Sequence, residues 1–123
     1  MIKPLFIDQC FQFEHSPAGE VSRSFLGAMD PKDWDPVVYA SDRAPLVKNK
    51  PDFVKLSRQN GYYRYAFGAI RKVLPDLTWL PGVEWPAWGR NATKQILKDI
   101  KNDVIKPDYI HSVCYHVANH WSA

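Results

Sequence analysis

Two places in this sequence gather residues able to do chemistry. The first is near the end, where Cys114, His116 and His120 stand close together. Cys-x-His-x3-His offers the sulfur and imidazole donors that zinc takes, and His116 and His120 at i, i+4 would share a helix face. Zinc ordinarily takes a further ligand, and His15 or Cys10 are the residues placed to supply one. The spacing is less regular than that of intact zinc motifs, so the expectation is cleft and helix-start side chains with no metal. A Cys–His pair also suggests nucleophilic catalysis. Cys114, however, closes a run that reads as a buried strand, where a thiol is ordinarily inert.

The second place is "SPAGEVSR", Ser16 to Arg23. Here a strand leads through a small-residue loop into a helix start, which offers free N–H groups and a partial positive charge to an anion. One glycine is a weak signal, and an ordinary strand-to-helix turn explains the stretch as well. A third stretch, residues 43–72, holds eight basic residues against the single acid Asp52, with Tyr62, Tyr63, Tyr65 and Phe67 interleaved. Such a pattern can hold RNA or single-stranded DNA or rest on anionic lipid. It is also what a solvated loop and helix face looks like. Trp79, Trp85 and Trp88 read as core and loop anchors.

These residues need elements to position them. Leu5 to Phe11 is an apolar run interrupted at Asp8 and Gln9, and predicts a largely buried first strand. "EHSPAGE", Glu14 to Glu20, reads as a loop. Val21, Phe25, Ala28 and Met29 recur at helical spacing, with Ser16 and Glu20 available for capping. Val37 to Ser41, "VVYAS", predicts a second strand. Within 43–72 a third strand or short helix is expected. "LPDLTWLPGVEWP", Leu74 to Pro86, carries three prolines and a glycine and predicts irregular chain. Trp88, Ala92, Ile96, Ile100 and Val104 recur every four residues, an amphipathic helix whose other face carries Arg90, Lys94, Lys98 and Lys101. Pro107 is expected to end it. Asp108 to Cys114 then predicts another buried strand, and His116 to Ala123 the opening of a helix.

Strands alternating with helices predict a Rossmann-like α/β fold, a parallel sheet with flanking helices. In such sheets ligands bind at the carboxyl ends of the strands. That edge would hold the 14–20 loop and the 114–120 segment.

The bulk numbers fit one domain. The chain has 123 residues, 46% of them hydrophobic, and a net charge of +3. This excludes a disordered chain and does not by itself call for nucleic acid. Two cysteines make no secreted disulfide framework. No secretory signal is legible at the start, and no apolar run nears the roughly 20 residues of a membrane span. The expected compartment is cytoplasmic.

In order, these pieces resemble the N-terminal region of GT-B glycosyltransferases of the large retaining family 4. "KPLFIDQCFQF", "SPAGE" and "VSRSFLGAM" are similar to that family's opening strand, small-residue loop and helix. "WDPVVYAS" is similar to its second strand. "LPDLTWLPGVEWPAWGRNATKQI" resembles its Pro-Asp and Trp-containing stretch before a helix, and "KPDYIHS" with "HVANHWSA" is the best match. The resemblance spans nearly the whole chain, loosely over 43–73 and best over 74–123. Where many relatives have two adjacent glycines, this chain has Ala18-Gly19.

The resemblance implies that residues 1–123 are part of an acceptor-side Rossmann-like domain, incomplete at its C-terminal end. The donor-binding domain would lie beyond Ala123. It implies transfer of a sugar from a nucleotide-sugar to a glycan or lipid-linked acceptor with retention, and no cofactor. His116 or His120 would stand near the reacting sugar. Ala18, Gly19, Glu20 and Arg23 would line the substrate side of the cleft. Residues 1–123 alone are expected to be inactive. Contact with the inner face of the membrane and a homodimer through an open sheet edge are expected, and nucleic acid is not. The competing reading is a non-enzymatic α/β module that uses 43–72 to bind RNA or anionic membrane.

Overall fold

A computed structural model of the chain describes residues 1–43, 45–58 and 84–113. Four strands, β1 (Pro4–Ile7), β2 (Val37–Ser41), β3 (Val54–Ser57) and β4 (Tyr109–Ser112), form one sheet in the order β3-β2-β1-β4. All three pairings are parallel, with Leu5 beside Val37 and Ile110, and Val38 beside Val54. Two helices, α1 (Pro17–Gly27) and α2 (Glu84–Lys101), complete the described elements. The α/β architecture expected from the alternation of strands and helices is therefore present.

The sheet has a core on each face because successive side chains of a strand point opposite ways. Leu5, Ile7 and Tyr39 pack with Trp88, Ala92 and Ile96 of α2, and with Ile105. Phe6, Val38, Ala40 and Val54 pack with Phe11 and with Leu26 of α1. Trp88 is fully buried. Full burial of a large side chain contributes on the order of 1.5–3 kcal/mol, so α2 is held mainly through Trp88, Ala92 and Ile96.

β1 ends at Ile7, four residues before the expected Phe11. The Asp8 carboxylate accepts the Cys10 N–H at 3.1 Å, and Phe11 N–H and Phe13 N–H donate to the carbonyls of Asp8 and Cys10. Such local bonds offer the backbone an alternative to the ladder and turn the chain. α1 starts at Pro17, inside the stretch expected to be loop. Ser16 Oγ accepts the Gly19 N–H at 3.2 Å and Pro17 supplies a preset φ at the first turn.

α2 stops at Lys101, well before Pro107. Asp103 takes φ 55°, Val104 N–H donates to Asp99 O at 2.8 Å and Asp103 N–H to Ile100 O at 3.1 Å. This is a Schellman ending with Asp in the left-handed position usually given to Gly or Asn. It turns Val104 outward and buries Ile105 in its place.

β4 is an edge among the described strands and mostly exposed, not the buried strand expected over 108–114. Asp108, His111 and Ser112 interrupt the apolar residues of that stretch, and β1 is the one strand partner of β4 among the described residues. The Asp108 carboxylate accepts the Lys3 N–H at 2.7 Å, and Asp108 N–H donates to Lys3 O at 2.8 Å. The Pro-Asp of "KPDYIHS" thus fixes the register of β4 on β1.

Candidate functional site

The strand order reverses at β1: the chain moves from it to β2 on one side and returns to β4 on the other. Open parallel sheets bind ligands outside the carboxyl ends of the strands at such a point. The residues there are Asp8, following β1, and Val113, following β4. α1 contributes Leu26 to the core over β1, β2 and β3, and among the described residues no helix covers the β4 side of that face. Phe6 and Asp8 from β1, His111 and Val113 from β4, and Val21, Ser22 and Phe25 from α1 enclose a half-open cavity of about 330 Å³.

Its walls are largely aromatic. The Phe6 ring lies 5.2 Å from the His111 ring and 6.4 Å from the Phe25 ring, the latter edge-on. Val21 and Phe25 are 70% and 58% exposed, so these two residues of the face expected of α1 lie open at the cavity, and the helix is buried instead at Leu26, which that face did not include.

Asp8 is the acid of the cavity, 1% exposed. Its Oδ1 accepts the Cys10 N–H, while Oδ2 has no hydrogen-bond partner. Burial raises its pKa above the ordinary carboxylate value. The Ser22 hydroxyl, the Cys10 N–H and the charges of Arg23 and His111 oppose that rise without cancelling it. Ser22 lies close enough to favour the carboxylate but outside hydrogen-bond geometry with Oδ2. The Cys10 thiol is pushed up to about 11, by burial first and by Asp8 second, so it is protonated at neutral pH and a poor nucleophile or metal ligand. His15 is exposed beside Glu14. Among the described residues no three His, Cys, Asp or Glu side chains stand close enough to hold a metal ion.

Of the substrate-lining residues expected from the sequence, Gly19 and Arg23 are engaged by their own chain. A Cβ on Gly19 would sit 2.2 Å from the Cys10 carbonyl oxygen. The glycine lets α1 close onto the turn after β1, and its N–H is already capped by Ser16. Arg23 donates to the carbonyls of Phe11, at 2.5 Å, and Phe13, at 3.2 Å, and ties the same turn to α1. Glu20 is exposed in the first turn and Ala18 half-buried beside it. His116, His120 and Cys114 lie outside the described residues.

On the other face, Asp99 of α2 accepts the Tyr39 hydroxyl at 2.5 Å and the Lys55 ammonium at 3.0 Å. Burial alone would raise the pKa of Asp99, but these partners outweigh it and hold the acid below its ordinary value. The same burial and the Asp99 bond push the Tyr39 phenol upward. Lys50 donates to the Val54 carbonyl. Two lysines of the basic 43–72 stretch, Lys50 and Lys55, thus make bonds within the fold, and residues 59–72 of that stretch lie outside the described residues.

Asp8 and His111 were not singled out from the sequence. The signal for Asp8 was its place, an acid directly after the first strand. His111 needed the register, since only pairing opposite Phe6 puts it on the face that α1 leaves open. Compared with known proteins, the chain matches no family model, no curated sequence and no solved structure. No helix among the described residues is long and apolar enough to cross a membrane.

Proposed function

We propose that the chain is the acceptor-side part of a retaining glycosyltransferase, which moves a sugar from a nucleotide-sugar to a glycan or lipid-linked acceptor. One observation carries the reading. Two stretches that resemble the family, the opening "KPLFIDQCFQF" and the better-matching "KPDYIHS", supply the neighbouring strands β1 and β4 at the reversal point, where a parallel sheet receives its ligands.

In this reading the carboxyl ends of β1 and β4 form one wall of the cleft. His116 or His120 hydrogen-bonds a sugar hydroxyl or stabilises charge on the leaving phosphate. Ala18 and Glu20 line the acceptor side, while Gly19 and Arg23 hold α1 against the turn after β1. The enzyme works in the cytoplasm at the inner face of the membrane, where lipid-linked acceptors would be met. The exposed edge of β4 pairs with a second copy.

The test is nucleoside diphosphate release from a panel of nucleotide-sugars by the product of the whole reading frame that contains this chain. Acceptor-dependent release with retained anomeric configuration by NMR is expected. His116→Ala or His120→Ala should then lower kcat on the order of a hundredfold, the scale of losing one charge-stabilising donor. No release across the panel, with glycan and lipid acceptors both present, overturns the reading.

A further inference from the structure

The cavity beside α1 has a chemical character of its own, independent of the sugar-transfer reading. A volume of about 330 Å³ falls at the small end of the roughly 300–1,000 Å³ typical of ligand sites. Its lining is apolar except for one buried carboxyl, one hydroxyl and one imidazole. A buried carboxylate oxygen without a hydrogen-bond partner costs stability unless something supplies the missing bond. Asp8 Oδ2 is such an atom.

We propose that this cavity binds a small neutral alcohol with an apolar body, the hydroxyl on the Asp8 carboxyl and the body between Phe6, Phe25 and Val21. The charge pattern selects the class. The Arg23 guanidinium already stands near Asp8, so a second cation gains little there. An anion would meet the Asp8 carboxylate in an apolar surround. A hydroxyl meets neither objection. It donates to the carboxylate, and it accepts from the carboxylic acid, so it suits Asp8 in both protonation states. The exposed faces of Val21 and Phe25 then gain cover from the ligand's hydrocarbon.

Benzyl alcohol, toluene and benzylamine serve as probes of one shape and three head groups. In an amide NMR titration of this chain, benzyl alcohol should give saturable shifts at Val21, Ser22, Phe25 and His111. Toluene should bind about tenfold more weakly or worse, the scale of losing one hydrogen bond to a charged group. Val21→Trp, a change at an exposed helix position, should fill the mouth and abolish the benzyl alcohol shifts while amide dispersion shows the fold intact. Equal affinity for toluene and benzyl alcohol would reduce the site to an apolar hollow and overturn the proposal. Tighter binding of benzylamine would overturn it in favour of a cation site. Absence of saturable shifts with benzyl alcohol, or their persistence in the tryptophan variant, would also overturn it.

Discussion

The sheet carries a buried aspartate against each face, and the two have opposite fates. Asp99, on the α2 face, is met by the Tyr39 hydroxyl and the Lys55 ammonium, and its acidity is strengthened. Asp8, on the α1 face, keeps one oxygen without a partner, and its acidity is weakened. Burial is common to both. What differs is whether the covering helix reaches the acid with donors. α2 lies over Tyr39 and brings Asp99 to meet it, so that face is closed. Among the described residues α1 stops short of β4, and a cavity lies beside Asp8. A satisfied buried acid ties elements together; an unsatisfied one beside a cavity is a place for something else to bind.

The comparison can be broken most forcefully on the closed face. Trp88→Ala should cost about 3–5 kcal/mol, the loss of a large side chain plus the cavity left behind. A urea titration followed by the remaining tryptophans would measure it. An effect no larger than that of an exposed substitution would mean that α2 is not held where we place it. Next comes Gly19→Ala, which drives a methyl into the Cys10 carbonyl. Overpacking of this kind costs about 1–3 kcal/mol. A neutral result would show that the turn after β1 gives way.

Asp99→Ala leaves the buried Tyr39 hydroxyl unpaired and should cost a similar amount, about 1–3 kcal/mol. Its pH dependence has a definite sign. The folded pKa of Asp99 lies below its unfolded value, so its contribution is present above the unfolded pKa and is lost as pH falls through the folded one. The wild-type advantage over the variant should therefore fade in acid, below about pH 4. Asp8→Asn should do the reverse. The folded pKa of Asp8 is raised, so the wild type is favoured while the acid stays protonated and loses ground as pH rises through that pKa. Asparagine keeps an oxygen for the Cys10 N–H and carries no charge, so the variant should melt higher at pH 7, with the gain vanishing below about pH 4. Val21→Ser, at the open mouth, should change stability by less than about 0.5 kcal/mol.

The alternation of strand and helix was legible because apolar spacing reports which side of an element faces inward. The covering of an edge is not a local property. Residues 108–114 read as a buried strand although Asp108, His111 and Ser112 interrupt their apolar residues, and β4 has one strand partner among the described residues and lies mostly exposed. Val21 and Phe25 were equally hard to place: their spacing marked an apolar face but not that it would lie exposed at a cavity. The end of α2 was misplaced because Pro107 is a conspicuous breaker, whereas Asp103 ends the helix through backbone bonds that Asp does not advertise. Gly19 was conspicuous as a small residue beside a helix start, which suggests a phosphate, whereas its close approach to the Cys10 carbonyl depends on the turn after β1 and was not legible. Asp8 was visible as an interruption in an apolar run, but its open oxygen depends on which residues of β4 and α1 surround it.

The paired bonds between Lys3 and Asp108 join positions 105 residues apart. Contacts of such separation form late, because most of the chain must be ordered before the loop between them closes at tolerable entropy. The wall made by His111 therefore comes into being only when the last described strand docks on the first. As an edge with a single partner strand among the described residues, β4 is also the natural first element to detach in a partial opening. Amide exchange along Tyr109–Ser112 would then run faster than along β2, and an occupant of the cavity would slow it. The site would act as a latch on the final step of folding.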